Sequence, residues 1–286
     1  MTPRDPVETV KQLCYNLQPM KSVRKALTIA GSDSGAGAGI QADLKTFAAL
    51  GVYGTSAITA ITAQNTVGVS QILALKPELV AGQIDAVMED IGAHAVKTGM
   101  LANAAIIEAV SAKIQQHRFK NVVVDPVMVA TSGDLLIKKN AVATLRALLV
   151  PLATVLTPNL PEAEQLTGIE LRTPAQIEEA ARRIIAMGAK TVVIKGGHRK
   201  GAALDLFFDG KKFRMMRAAR LHSRNTHGTG CTFSAAIAAY LARGEALERA
   251  VSLAKEYITG AIRAGFVIGA GHNPVHHFYR LWSTKE

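Results

Sequence analysis

Asn225-Thr226-His227-Gly228-Thr229-Gly230-Cys231 runs without a break into Thr232-Phe233-Ser234-Ala235-Ala236. A turn with two glycines leads into an Ala-rich helical pattern. Glycine has no Cβ, so successive backbone N–H groups can converge on an anion. The positive end of the helix that follows adds to the same field. Cys231 stands at the lip of this hole, where a helix N-terminus can lower a thiol's pKa. The arrangement suits phosphoryl transfer to a hydroxyl: the hole steadies charge on the moving group, and the cysteine takes the acceptor's proton. The same residues also fit a small hydrophobe buried at a tight strand-to-helix turn.

Upstream of the turn the chain is basic. From Lys190 to Arg224 there are ten Lys and Arg against two acids, Asp205 and Asp209, within an overall formal charge of +11. Nucleic-acid binding is one reading of that charge. Aromatic residues, at 5%, are too few for a single-strand stacking platform. An anionic small substrate such as a nucleoside triphosphate explains the local bias as well, and a solvated basic face remains the plain alternative.

The rest of the chain alternates between strand and helix patterns. Ala26–Ala30 reads as a buried strand ending in Gly31, then a loop through Gly35, Gly37 and Gly39, then a helix to Leu50. The spacing of those glycines is not that of a dinucleotide-binding fingerprint. Strands follow at 56–62, 95–99, 121–125, 154–157 and 191–195, with helices at 78–91, 102–117, 141–149 and 173–188. Asp209-Gly210 joins two further strands, 203–208 and 212–216, as a hairpin. Helices at 232–242 and 247–264 end the pattern. Alternation of this kind predicts an α/β fold with a mostly parallel sheet and helices on both faces. Ligands in such folds bind at the carboxyl ends of strands. Asp33, Gln64, Asp125, Asn159 and Lys195 all fall there.

Composition and length, 49% hydrophobic over 286 residues, permit a sizeable core. We expect residues 1–24 to be an N-terminal extension and 25–286 a single domain. No apolar run approaches the roughly 20 residues of a membrane span, and Met1–Lys25 lacks the apolar core of a secretion signal. The two cysteines, Cys14 and Cys231, make no disulfide framework. A reducing cytoplasm is the expected location.

Each polar cluster has two readings. Asp125, before Pro126, can hold Mg²⁺ through waters or simply form a turn. Asn159-Leu160-Pro161-Glu162 can supply oxygens to a metal–phosphate complex, and it also matches an N-cap with an acid at N3. Lys195-Gly196-Gly197-His198 can place an ammonium beside triphosphate oxygens or be a strand-to-loop turn. The Gln64 amide, donor and acceptor at once, can read an aminopyrimidine edge or be a satisfied loop amide. His276 and His277 are adjacent and cannot face one site together, so no metal is assigned to them.

Taken in order, several segments resemble a known family. They are Ala30–Gly35 with Gly39–Thr46, Ala63–Thr66, Lys97–Met100, Asp125–Met128, Thr157–Glu162, Lys195–His198, Asn225–Cys231 and Pro274–Phe278. The chain from about Lys25 to Trp282 is similar to hydroxymethylpyrimidine/phosphomethylpyrimidine kinases of thiamine biosynthesis, in the ribokinase-like superfamily. The resemblance implies a three-layer α/β/α fold, ATP and Mg²⁺. It implies two successive γ-phosphoryl transfers, first to 4-amino-5-hydroxymethyl-2-methylpyrimidine and then to its monophosphate. Gln64 would bind the pyrimidine, with Asp33 and Met100 lining the pocket. Asp125 and Glu162 would serve the metal. Lys195, Asn159 and Thr226 would lie on the nucleotide side. Gly228, Thr229 and Gly230 would form the anion hole, with Cys231 as the base where sugar kinases carry aspartate. The expected partners are the pyrimidine and ATP, with no nucleic acid and no membrane, and the expected assembly is a homodimer.

Two positions depart from the family pattern. Ala36 stands where Gly or another small residue is more common, and Thr131 where lysine is common; Lys138 or Lys139 could replace that lysine. The segments 130–136 and after Gly196 are candidate lids, with Gly133 and Gly201 as hinges. Three other readings compete: a pyridoxine/pyridoxal kinase of the same fold, a nucleic-acid-binding protein, and a ligand-binding protein that has lost catalysis.

Overall fold

The computed structural model describes residues 22–129, 139–196, 203–218, 221, 223 and 225–282. Most of the expected N-terminal extension, Thr131 with Lys138, and both candidate lids lie outside these residues.

The strands are β1 (Lys25–Asp33), β2 (Tyr53–Gln64), β3 (Val69–Ala74), β4 (Ala95–Thr98), β5 (Val122–Val124), β6 (Val155–Leu156), β7 (Val192–Ile194), β8 (Ala203–Phe208) and β9 (Phe213–Ala218). They form one sheet in the order β3-β2-β1-β4-β5-β6-β7-β8-β9. The six strands from β2 to β7 are parallel, and β3, β8 and β9 are antiparallel additions at the two edges. The helices are α1 (Gly39–Ala49), α2 (Pro77–Ala86), α3 (Ala104–Gln116), α4 (Lys139–Thr144), α5 (Leu160–Thr167), α6 (Pro174–Ala186), α7 (Thr229–Ala242) and α8 (Leu247–Arg263).

Successive strand side chains point to opposite faces, and both faces are buried. Leu27, Ile29, Val96, Val122, Val124, Leu156, Val192 and Ile194 pack against α2, α3, α5 and α6. Ala26, Ala95, Val123, Val155, Val193 and Phe207 pack against α1, α7 and α8. The sandwich therefore has three layers, as expected.

Local chemistry sets the boundaries. Asn159 accepts the Glu162 amide while Glu162 accepts the Asn159 amide, both at 2.8 Å, closing a capping box with Pro161 in the first turn. Thr173 and Gln176 do the same for α6. Asp209 Oδ1 accepts the amides of Lys211 and Lys212, and Gly210 takes φ 84°, so the expected hairpin forms. Helices α2 and α4 each run on into a π turn, Val87–Ile91 and Leu145–Leu149. β3 had no counterpart in the sequence reading. Five of its six residues are exposed, so its apolar side chains carry no burial pattern.

Candidate active site

The site lies where α7 begins, above the carboxyl ends of β1, β4 and β5. Gly228 caps the helix with φ 76°, a left-handed value that disfavours any Cβ. Space forbids one as well: it would fall 1.8 Å from the Gly37 carbonyl oxygen. The first internal bond of α7 runs from the Thr232 amide to Gly228 O at 2.8 Å. The amides of Gly230 and Cys231 come before it, in the turn where a helix has no internal acceptors for them. Thr229 donates its hydroxyl to Thr226 O at 2.8 Å, which fixes the turn and places Thr226 at its entry.

Strand alternation puts three charged residues on the α7 side of the sheet. Lys97, Asp125 and Lys195 each continue the set that packs on α7, two residues beyond Ala95, Val123 and Val193. Lys195 Nζ donates to Asp125 Oδ1 at 2.9 Å. Ser234, on α7, donates to Asp125 Oδ2 at 3.2 Å, and Thr157 to Oδ1 at 3.3 Å. A Cβ on Gly230 would lie 3.2 Å from Lys195 Nζ and 3.7 Å from Asp125 Oδ2. Gly230, Lys195 and Asp125 therefore share one location, and Asn159 bridges to Lys195.

Electrostatics follow from burial and these pairings. Burial raises the Asp125 carboxyl, but Lys195 and then Lys97 outweigh it and hold it below the usual range. Burial opposes the Lys195 charge, yet Asp125 and Glu162 keep its pKa raised. Burial lifts Glu162 to about 7, with Lys195 pulling down and Asp125 pushing up. Cys231 departs from expectation. Its thiol is raised to about 11, because burial exceeds the opposing effect of Lys97, and Asp43 and Asp125 add to it. The helix N-terminus does not win here; the resting side chain is a neutral thiol.

Below the hole, Lys97 is fully buried and donates to Asp43 at 2.8 and 3.0 Å, while Thr28 donates to the same carboxylate at 2.6 Å. Burial disfavours the ammonium, but Asp43 more than compensates and Lys97 stays charged. This buried cation was not singled out in the sequence. A lone lysine in Ala-Val-Lys-Thr-Gly, between strand signals, was the available clue.

On the other flank the loop after β1 folds around Asp33. Its carboxylate accepts the amides of Gly35 (2.8 Å), Gly37 (3.0 Å) and Ala38 (2.8 Å), and meets His227 Nε2 at 2.9 Å. Burial would raise this carboxyl, but the His227 bond and the Ala38 amide hold it low. Asp33 thus organises its loop, and no oxygen is left without a partner. Ala36 in that loop adopts φ 58°, so the position that departs from the family pattern is a strained one. Gln64 Nε2 lies 3.5 Å from His227 Nε2, and Thr62 donates to Gln64 Oε1 at 3.2 Å. Met100 is buried, with its Cε 2.8 Å from where a Gly31 Cβ would stand. The structure brings Gln64, Asp33 and the α7 turn together, with His227 as the link that sequence reasoning left unassigned. Its place inside the glycine turn was the signal. His276 and His277 serve elsewhere: His277 meets Thr232 at 3.1 Å, and His276 packs on Phe266 and Trp282.

A three-layer α/β/α sandwich with a glycine-rich helix N-terminus over charged strand ends defines a ribokinase-like small-molecule kinase. The chain belongs to the phosphomethylpyrimidine kinase family, whose model matches residues 33–276. It is 54% identical over 261 residues to the thiamine biosynthesis bifunctional protein ThiED of Geobacter sulfurreducens, covering 91% of this chain and 53% of that one. It is also 54% identical over 261 residues to a hydroxymethylpyrimidine/phosphomethylpyrimidine kinase of Rhizobium meliloti, covering 90% of this chain and 98% of that one. Among solved structures, the ADP complex of Bacillus subtilis pyridoxal kinase matches with TM-score 0.85 and 43% identity, covering 91% of this chain and all of that one. Among the described residues, no helix is long and apolar enough to cross a membrane.

Proposed function

We propose that this kinase transfers the γ-phosphoryl of ATP to the hydroxymethyl group of 4-amino-5-hydroxymethyl-2-methylpyrimidine, and then phosphorylates the monophosphate to the diphosphate, supplying thiamine biosynthesis in the cytoplasm. The observation that carries the reading is the meeting of three elements. Gly230, at the mouth of α7, faces Lys195 and Asp125, and His227 in the same turn reaches Gln64.

The roles divide along that line. Gln64 offers the amide that pairs with an aminopyrimidine edge, and Met100 supplies apolar lining. Asp33 holds the loop beneath them. The amides of Gly228, Gly230 and Cys231 receive the moving phosphoryl group; the Thr229 amide instead donates to Thr226 O at 3.2 Å, so Thr229 shapes the turn and does not line the hole. Lys195, bridged to Asn159, faces the triphosphate, with Thr226 at the entry of the α7 turn. Asp125 and Glu162 are the residues that would hold Mg²⁺. They suit it: both are buried carboxylates, and Asp125 helps raise Glu162, a repulsion that a cation relieves. Mg²⁺ commonly takes one or two carboxylates and completes its shell with phosphate and water. Bound there, it would offset charge on the transferring phosphate.

A neutral Cys231 brings no fixed charge against an incoming phosphorylated acceptor, which suits the second transfer. As base it acts through its thiolate, so the rate should climb about tenfold per pH unit between roughly pH 7 and 9. A homodimer is the assembly we propose.

A pyridoxal kinase reading has one specific support, the similarity to the Bacillus subtilis enzyme. Parallel assays with the pyrimidine alcohol and pyridoxine separate the two. Formation of a pyrimidine diphosphate supports our reading; turnover of pyridoxine alone overturns it.

A further inference from the structure

Lys195 stands one residue beyond β7, where regular pairing ends. On the β6 side its amide donates to Pro158 O at 2.8 Å. On the β8 side the last paired residues are Ile194 and Leu206. The next amide, that of Gly196, donates to a side chain: Asp205 Oδ1, at 3.0 Å. Asp205 is itself buried on β8, and its second oxygen accepts from Lys255 Nζ of α8 at 2.5 Å. Gly196 is pressed so closely on β8 that a Cβ would lie 1.9 Å from the Leu204 carbonyl oxygen. One continuous chain of contacts therefore runs from α8, through Asp205, to the backbone at Lys195.

A single amide needs only a neutral acceptor. A buried ion pair costs desolvation and is weak evidence of stability, whereas directed charges fix geometry. Asp205 is also one of only two acids in the basic stretch 190–224, and it faces inward. We infer that Asp205 and Lys255 are positioning residues: through the Gly196 amide they set the Lys195 corner so that its ammonium faces the phosphates of an adenine nucleotide. The inference rests on the reading of Lys195 as the nucleotide-side cation. Neither residue touches substrate.

The test compares the parent with Lys255→Met, Asp205→Asn and Lys255→Arg. ADP binding is read by calorimetry, and KM for ATP and for the pyrimidine alcohol by initial rates; thermal melts confirm folding. Lys255→Met is the safer variant, because its change lies at the outer end of the chain of contacts. Loss of about one hydrogen bond's worth of order predicts a rise of about fivefold in Kd for ADP and KM for ATP. KM for the pyrimidine should stay within about twofold, and Lys255→Arg should restore nucleotide binding. Unchanged ADP affinity in both Lys255→Met and Asp205→Asn overturns the inference and leaves the proposed function standing. Equal loss toward both substrates also overturns it, because it marks a general structural role. A parent that binds no ADP overturns the nucleotide reading itself, and the inference with it.

Discussion

His227 Nε2 stands 2.9 Å from Asp33 Oδ2, joining two glycine loops whose anchor residues are 194 positions apart in the chain. One loop follows β1 and holds the side nearest Gln64; the other opens α7 and carries the amides of the proposed anion hole. Neither could shift without breaking this contact, so the proposed substrate and phosphate sides are set relative to each other by a buried pair.

Asp33→Asn tests that link. The charged acceptor of three amides and His227 becomes a neutral group that must also place an NH₂. We expect a loss of about 2 kcal/mol in stability and a larger rise in KM for the pyrimidine than for ATP. In the parent, the lowered Asp33 pKa contributes stability above its ordinary value of 3.8, and this is lost as pH falls through the lower folded value. Urea titrations of parent and variant at pH 7 and pH 3 check it: the gap between them should narrow in acid.

Gly228 and Gly230 should respond differently to alanine. Gly228→Ala forces a left-handed Cβ into the Gly37 carbonyl, and we expect a loss of at least about 2 kcal/mol. A Cβ on Gly230 meets only the end of the Lys195 side chain at 3.2 Å, with Asp125 beyond. Gly230→Ala should fold like the parent yet lose about tenfold or more in kcat, as Lys195 is displaced and the hole narrows. Circular dichroism melts beside initial rates separate the two effects.

Glu162→Gln should become relatively more stable as pH rises. The folded chain keeps the Glu162 proton up to about pH 7, while the unfolded chain releases it near 4.5. Its stabilising share is therefore complete below the unfolded value and is lost as pH climbs to about 7. Glutamine retains an acceptor for the Asn159 amide without that loss. From pH 5 to pH 8 the variant should gain about 2 kcal/mol on the parent, measured by denaturant unfolding. The same substitution should weaken Mg²⁺–ATP binding at pH 8, since one candidate ligand is gone.

How legible all this was depended on where the determining partners lie. The capping box at Asn159 and Glu162 and the Asp209-Gly210 hairpin are local, and their residue types alone specify the backbone. The parallel order of β1, β4, β5, β6 and β7 follows from alternation with helices. Asp125, Lys195 and Cys231 were readable as candidates because glycines, prolines or strand ends mark them. Lys97 was not, because its burial depends on Asp43, 54 positions away. The same holds for Cys231's raised pKa: local sequence shows a helix N-terminus, but burial and the surrounding carboxylates decide its charge. β3 escaped because an exposed edge strand needs no apolar alternation.

Phosphorus NMR of the chain with ATP, Mg²⁺ and 4-amino-5-hydroxymethyl-2-methylpyrimidine tests the central claim most directly, run beside Cys231→Ala. We predict a phosphate monoester resonance that appears first and then gives way to the paired resonances of a diphosphate, with Cys231→Ala slowed at least about a hundredfold. No ester signal from the parent, or full turnover by Cys231→Ala, would contradict it.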